Sequence, residues 1–226
     1  MTNADQQKKR TGEAAAAYVE SGMTVGLGTG STAAHFVRAL AARQLDIRCV
    51  STSVATETLA RELGLHTLEL DAAGEIDLTV DGADEISPDL TLVKGAGGAL
   101  LREKLVWEAS RRCICIADAS KRVAVLGQFP LSIEVVAFGV ETTTARLARR
   151  LSDAGVAGEL RRRPGVVTDG GNLILDLHGA RIEDPVRLAD LLKSTTGVVE
   201  HGLFIGLCDL AIVADATDII ALDRPR

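Results

Sequence analysis

Residues 23–43 read M-T-V-G-L-G-T-G-S-T-A-A-H-F-V-R-A-L-A-A-R. A short apolar strand over 23–27 meets a glycine-rich turn, and a helix is expected over 33–43. A strand feeding a helix through a tight turn is the repeating unit of a parallel sheet. The same alternation extends in both directions. Upstream, a helix over 4–20 stops at Gly22. Downstream come a strand over 47–50, a helix over 55–63 closed by Gly64, and strands over 66–70, 77–80 and 91–93. A helix over 99–110 and an apolar strand over 113–117 complete the series. The expected fold is α/β, with a parallel-sheet Rossmann-like domain whose ligand lies at the carboxyl ends of the strands.

The pattern changes near Gln128-Phe129-Pro130. Strands are expected over 133–137, 158–162, 166–168 and 173–176, with helices over 142–151 and 185–192. Arg163-Pro164-Gly165 and Asp169-Gly170-Gly171-Asn172 are turn signals between strands. This describes a second, smaller α+β domain with an antiparallel sheet. Residues 210–222 are again apolar and strand-rich, and suit a return to the first sheet. The expected domains are therefore 1–128 plus 205–226, and 129–204.

Bulk properties narrow the function. The 226 residues carry 46% hydrophobic and only 3% aromatic side chains, so the core rests on Val, Leu, Ile and Ala. No apolar run approaches the ~20 residues of a membrane span, and the N-terminal residues lack the apolar stretch of a signal peptide. A net charge of −6 argues against a nucleic-acid partner. The basic triplet Arg161-Arg162-Arg163 is expected to face water at a strand edge or turn. Cys49, Cys113, Cys115 and Cys208 lack metal or redox spacing, which predicts reduced, mostly buried thiols in a cytoplasmic protein. The four histidines also lack ligand spacing, and His35 is expected to be structural.

Three constellations carry chemistry. The turn at 26–32, G-L-G-T-G-S-T, lets backbone N–H groups approach an anion at a helix N-terminus, and Ser31 and Thr32 add hydroxyls. It is neither a P-loop nor a dinucleotide fingerprint, since no G-K-[ST] follows and no acid ends the second strand. A tight turn capping a helix is the alternative. Residues 80–86, V-D-G-A-D-E-I, place Asp81 and Asp84 for sugar hydroxyls or a cation, or as turn and cap residues. Lys94-Gly95-Ala96-Gly97-Gly98 sets a lysine at a strand end, where it can stabilise an oxyanion. Glu103 follows in the first turn of a helix. On a wheel of about 100° per residue, Leu101, Leu105 and Ala109 share one face and Glu103, Trp107 and Ser110 the other. That wheel alone makes Glu103 a solvated residue. Beside an active turn, it becomes a candidate general base.

The combination resembles ribose-5-phosphate isomerase, type A. The resemblance rests on G-L-G-T-G-S-T-A-A-H-F at 26–36, V-D-G-A-D-E-I at 80–86, K-G-A-G-G-A-L-L-R-E-K at 94–104 and C-I-A-D-A-S-K at 115–121. Residues 165–176 and 197–204 match in the second domain. It implies isomerisation of D-ribose 5-phosphate and D-ribulose 5-phosphate in the non-oxidative pentose phosphate pathway, with no metal and no cofactor. It places catalysis on Glu103, Asp81, Asp84 and Lys94. Substrate binding falls on Thr29, Gly30, Ser31, Thr32, Lys121 and Lys8, on Asp81, Gly82, Ala83 and Asp84, and on Lys94, Gly95, Ala96 and Gly97. A homodimer or homotetramer is also implied.

Two positions depart from the family pattern. Ala96 stands where glycine is usual, at a cost of about 1 kcal/mol if the site needs positive φ. The tail from Ile205 lacks a G-T-P-like turn between its last strands. Two rival readings are a phosphosugar-sensing domain without catalysis and a transferase of the acyl-coenzyme A type. A sensor needs the phosphate turn but no base, so the Lys94/Glu103 pair separates it from an isomerase. The transferase would require a longer chain and its own nucleophile.

Overall fold

The computed structural model describes residues 3–225. In chain order it begins with α1 (Asn3–Ala16), β1 (Thr24–Leu27), α2 (Ser31–Ala42), β2 (Arg48–Ser51) and α3 (Val54–Glu62). Next come β3 (His66–Leu68), a short α4 (Leu70–Ala73), β4 (Leu78–Gly82), β5 (Glu85–Ile86) and β6 (Leu92–Val93). Helix α5 (Leu100–Glu108) precedes β7 (Cys113–Asp118). Then follow β8 (Leu131–Val135), α6 (Val140–Asp153), β9 (Glu159–Arg162), β10 (Leu173–His178) and α7 (Pro185–Lys193). The last strands are β11 (Val198–His201), β12 (Leu203–Phe204), β13 (Leu210–Ala214) and β14 (Ile219–Asp223).

The chain forms two compact units. One comprises Met1–Ala83, Arg102–Lys121 and Gly206–Arg226, the other Asp84–Leu101 and Arg122–Ile205. The first holds a seven-stranded sheet in the order β14-β13-β7-β4-β1-β2-β3. Every pairing in it is parallel except β13 with β14. Strands β1, β7 and β13 are buried along their whole length, as strands in a sheet covered on both faces are. The chain leaves β1 to β2 on one side, while β4 pairs on its other side. That reversal makes the carboxyl ends of β1 and β4 the natural ligand crevice of this sheet.

Val25, Leu27, Leu78, Val80, Ile114 and Ile116 pack with Ala15, Phe36, Val37 and Leu40 of α1 and α2. Fully burying such a side chain contributes about 1.5–3 kcal/mol, so this cluster is the main stabiliser of the unit. All four cysteines are free and buried, as expected. Burial pushes the Cys49 thiol up to about 12.

Helix α5 reverses the wheel. Leu105, on the apolar face, is 46% exposed, whereas Glu103 and Trp107 are 4% and 1% exposed. The helix is attached by Val106, which packs with Val50, Ala73 and Ile76. The Ile76 N–H donates to the Ala109 carbonyl at 3.2 Å, and the Thr79 and Ser110 hydroxyls lie 2.7 Å apart. These contacts join the end of α5 to the start of β4. Tertiary attachment, rather than the count of apolar residues, selects the buried face.

The second unit has an antiparallel sheet, β11-β8-β10-β9, and a three-stranded sheet, β12-β6-β5. Leu147, Leu151, Leu188 and Leu192 from α6 and α7 pack on Leu131, Ile133, Val135 and Leu175 of the larger sheet. Residues 84–101 and 122–128, expected with the first domain, group here instead. The reason is their pairing: β6 binds β12, and the Lys94 N–H donates to the Gly202 carbonyl at 2.8 Å.

The strand expected over 166–168 does not form. Thr168 instead closes a turn, its N–H donating to the Asn172 carbonyl at 2.9 Å and its hydroxyl to Glu134 at 2.8 Å. The short α4 and β5 escaped the pattern because two to four residues carry no readable period. Residues 210–222 do return to the first sheet. The turn between β13 and β14 is built by Asp215, whose carboxylate accepts the N–H groups of Thr217 and Asp218 at 2.8 and 2.7 Å. An Asx-type turn thus replaces the missing Pro turn.

Candidate active site

In the first unit the glycine turn leaves β1 and enters α2 at Ser31. Gly28 has no room for a side chain: a Cβ there would lie 2.2 Å from the Asp81 carboxyl carbon. This close approach lets the Thr29 N–H donate to Asp81 Oδ1 at 3.0 Å. The Gly82 N–H donates to the same oxygen at 2.7 Å. Two N–H donors on one carboxylate oxygen fix its orientation. Asp81 itself is fully buried.

The Thr29 hydroxyl faces the scaffold. It lies 2.7 Å from the Thr52 hydroxyl and 2.8 Å from that of Ser53, which caps α3. The family resemblance places Thr29 among the substrate contacts, and nothing in the sequence signalled this hydroxyl cluster. Gly30, Ser31 and Thr32 remain at the mouth of the turn, where Gly30 and Ser31 are exposed. Helix α1 brings Lys8 Nζ within 2.9 Å of Ser31 Oγ, across 23 residues of sequence. His35 pairs with Asp5 at 3.2 Å between the same two helices, the structural role expected for it. Lys121 ends a short helical turn, Ala119–Lys121, after β7. Asp118 holds that turn by accepting the Ser120 N–H at 3.1 Å.

The second unit carries Asp84, Lys94 and the glycine loop. The Asp84 N–H donates to the Val93 carbonyl at 2.8 Å, and its Oδ2 accepts the Ala96 N–H at 3.0 Å. Lys94 is 3% exposed and lies 5.4 Å from the centre of the Phe204 ring, a cation–π distance. A desolvated ammonium beside an aromatic face is a strong point charge for an oxyanion. Glu85, next to Asp84 in sequence, has a different task. Its carboxylate accepts the N–H groups of Gly127 and Phe129 at 2.6 and 2.5 Å, so it is a structural anchor.

Ala96 is accommodated without strain. The left-handed positions of this loop are Gly95, at φ 116°, and Gly98, at φ 75°; among the described residues the non-glycine ones with positive φ are Gln44 and Leu90. The basic triplet is only partly solvated. Arg163 is 17% exposed, paired with Asp176, and donates to the Gly95 and Ala96 carbonyls at 3.0 Å each. Local pattern could not show this, because the partners lie 67 to 68 residues away.

Fold and loops together define a class: a two-unit α/β protein with an anion-suited glycine turn and an ordered carboxylate at the carboxyl edge of a parallel sheet. The family model for ribose 5-phosphate isomerase A (phosphoriboisomerase A) matches residues 48–218. The chain belongs to this family. It is 59% identical over 224 residues to ribose-5-phosphate isomerase A of Caulobacter vibrioides (strain NA1000 / CB15N), covering 97% of this chain and 99% of the relative. It is 50% identical to the protein of that name from Nitrobacter hamburgensis, with 97% and 98% covered. Among solved structures, ribose 5-phosphate isomerase A from Neisseria gonorrhoeae superposes with a TM-score of 0.94 at 33% identity, covering 100% of both chains. Ribose 5-phosphate isomerase from Plasmodium falciparum gives 0.91 at 36%, covering 98% of this chain and 100% of that one.

Proposed function

We propose that the chain interconverts D-ribose 5-phosphate and D-ribulose 5-phosphate through a cis-enediolate, with no metal. The observation that carries this reading is the Thr29 N–H to Asp81 hydrogen bond, which couples the glycine turn to an ordered carboxylate. Family membership supports the substrate. In the proposed site, Gly30, Ser31, Thr32, Lys8 and Lys121 hold the phosphate, where N–H groups, hydroxyls and ammonium groups supply donors.

The chemistry runs as two proton transfers. Glu103 takes the C2 proton of the open-chain aldose as negative charge moves onto O1. Lys94 stabilises that oxyanion. Glu103 then returns its proton to C1, while the O2 hydroxyl loses its proton and becomes the ketose carbonyl. O1 gains the balancing proton through Asp81 or Asp84, which also serve in ring opening. The backbone of residues 82–83 and 95–97 lines the sugar. Burial of Glu103 supports the base assignment, since a carboxylate shielded from water is not competing with solvent for the proton.

Among the described residues no helix is long and apolar enough to cross a membrane. We place the protein in the cytoplasm, in the non-oxidative pentose phosphate pathway, as a homodimer or homotetramer; reduced, buried cysteines suit that compartment. The test is incubation with ribose 5-phosphate in deuterium oxide. The expected result is ribulose 5-phosphate with deuterium at C1. Conversion without any deuterium would be the outcome of hydride transfer or of complete internal return of the proton by the base, and binding without conversion that of a sensor.

A further inference from the structure

Arg163 is the one member of the basic triplet that leaves solvent, and all five of its N–H donors find acceptors. Nε donates to Asp176 Oδ2 at 2.8 Å, and Nη2 donates to Asp176 Oδ1 and, at 2.8 Å, to the Ser132 hydroxyl. Nη1 donates to the carbonyls of Gly95 and Ala96, each at 3.0 Å. Ser132 is fully buried, and its hydroxyl in turn donates to Asp176 Oδ1 at 3.2 Å. The guanidinium is thus seated on the antiparallel sheet by one carboxylate and one hydroxyl. Its remaining edge grips two successive carbonyls of the loop that follows Lys94.

Peptide geometry gives this grip a direction. In a trans peptide the carbonyl and the N–H point opposite ways. The Gly95 carbonyl held by Arg163 belongs to the same peptide plane as the Ala96 N–H, which donates to Asp84 Oδ2. One rigid plane therefore links Arg163 to Asp84. The Ala96 carbonyl fixes the next plane in the same way, so the Gly97 N–H is turned away from Arg163. Gly95 enables the approach, because its φ of 116° and a Ser132 Cβ only 2.7 Å from any added side chain exclude other residues.

We propose that Arg163 is a positioning residue for the isomerisation: seated on Asp176 and Ser132, it holds the 94–97 loop and, through one peptide plane, sets the carboxylate of Asp84. The proposal rests on the activity described above. Lysine is a poor substitute, since an ammonium cannot engage a carboxylate side-on and two carbonyls together.

The test is steady-state kinetics with ribose 5-phosphate on the parent, Arg163→Gln, Arg163→Lys and Asp176→Asn, each checked for folding by circular dichroism and melting. A group that only orients machinery lowers kcat more than it changes KM. Arg163→Gln is expected to lose about tenfold or more in kcat with KM changed by less than about threefold, and Arg163→Lys to recover part of that loss. Should Arg163→Gln not fold, Asp176→Asn carries the same expectation, because it removes the seat of the guanidinium. The proposal is overturned if the folded variants keep kcat within about twofold, if only KM rises, or if the unfolded fraction accounts for the whole loss. An inactive parent would instead overturn the assigned activity.

Discussion

Substituting Gly28 with alanine adds one methyl group at the tightest point of the first unit. The new Cβ would lie 2.2 Å from both Cγ and Oδ1 of Asp81 and 2.5 Å from its Cα. Ordinary carbon contacts need about 3.5–4.0 Å, so Asp81 or the strand carrying it must move by about 1 Å or more. If the strands part, the Gly28 N–H to Val80 carbonyl bond, 2.9 Å long, is stretched at the edge of the ladder. If the carboxylate turns instead, it leaves the Thr29 and Gly82 N–H donors. Overpacking of this kind costs about 1–3 kcal/mol. At about 2–4 °C per kcal/mol for a chain of this size, Tm falls by roughly 2–12 °C. A 1 Å misplacement of catalytic groups costs about a hundredfold in rate. The assay is kcat for ribose 5-phosphate isomerisation together with a melting curve. A Gly28→Ala protein with kcat within about threefold of the parent and an unchanged Tm would refute the claim that the close approach orders Asp81.

Further outcomes follow from Glu103 and Cys49. Glu103→Gln keeps shape and burial but cannot accept a proton; turnover should drop by about 10²–10⁴ while calorimetry still detects ribose 5-phosphate binding, and near-parental turnover would remove Glu103 as the base. The Cys49 thiol is raised from 9.0 to about 12 by burial, so the folded state holds its proton more tightly than the unfolded chain. Its contribution to stability is full below pH 9 and is lost as pH rises from there toward 12. Urea unfolding should show that decline on the alkaline side, and the native protein should resist a thiol reagent at pH 8, at which rapid labelling would contradict the burial.

Much of the protein could be read before folding. The alternation around 23–43 and 113–117 gave the parallel sheet, because strands covered on both faces must be apolar throughout. Gly26, Gly28 and Gly30 marked the turn, and Asp81 and Lys94 stood at strand ends. Local chemistry, however, could not choose between neighbours. Asp84 and Glu85 are adjacent carboxylates at the same strand end, yet Glu85 caps the N–H groups of Gly127 and Phe129 while Asp84 holds the loop of Ala96.

Local periodicity and turn residues were therefore enough to set the layering of the fold and the loops where chemistry collects. The burial of Glu103 and Trp107, rather than Leu105, on α5 came from packing, because attachment through Val106 and Ser110 sets the rotation of the helix. Packing also decided that Lys8 meets Ser31 and that Arg163 grips Gly95 and Ala96. Those contacts join residues far apart in the chain, and no local pattern carries information about a partner that distant.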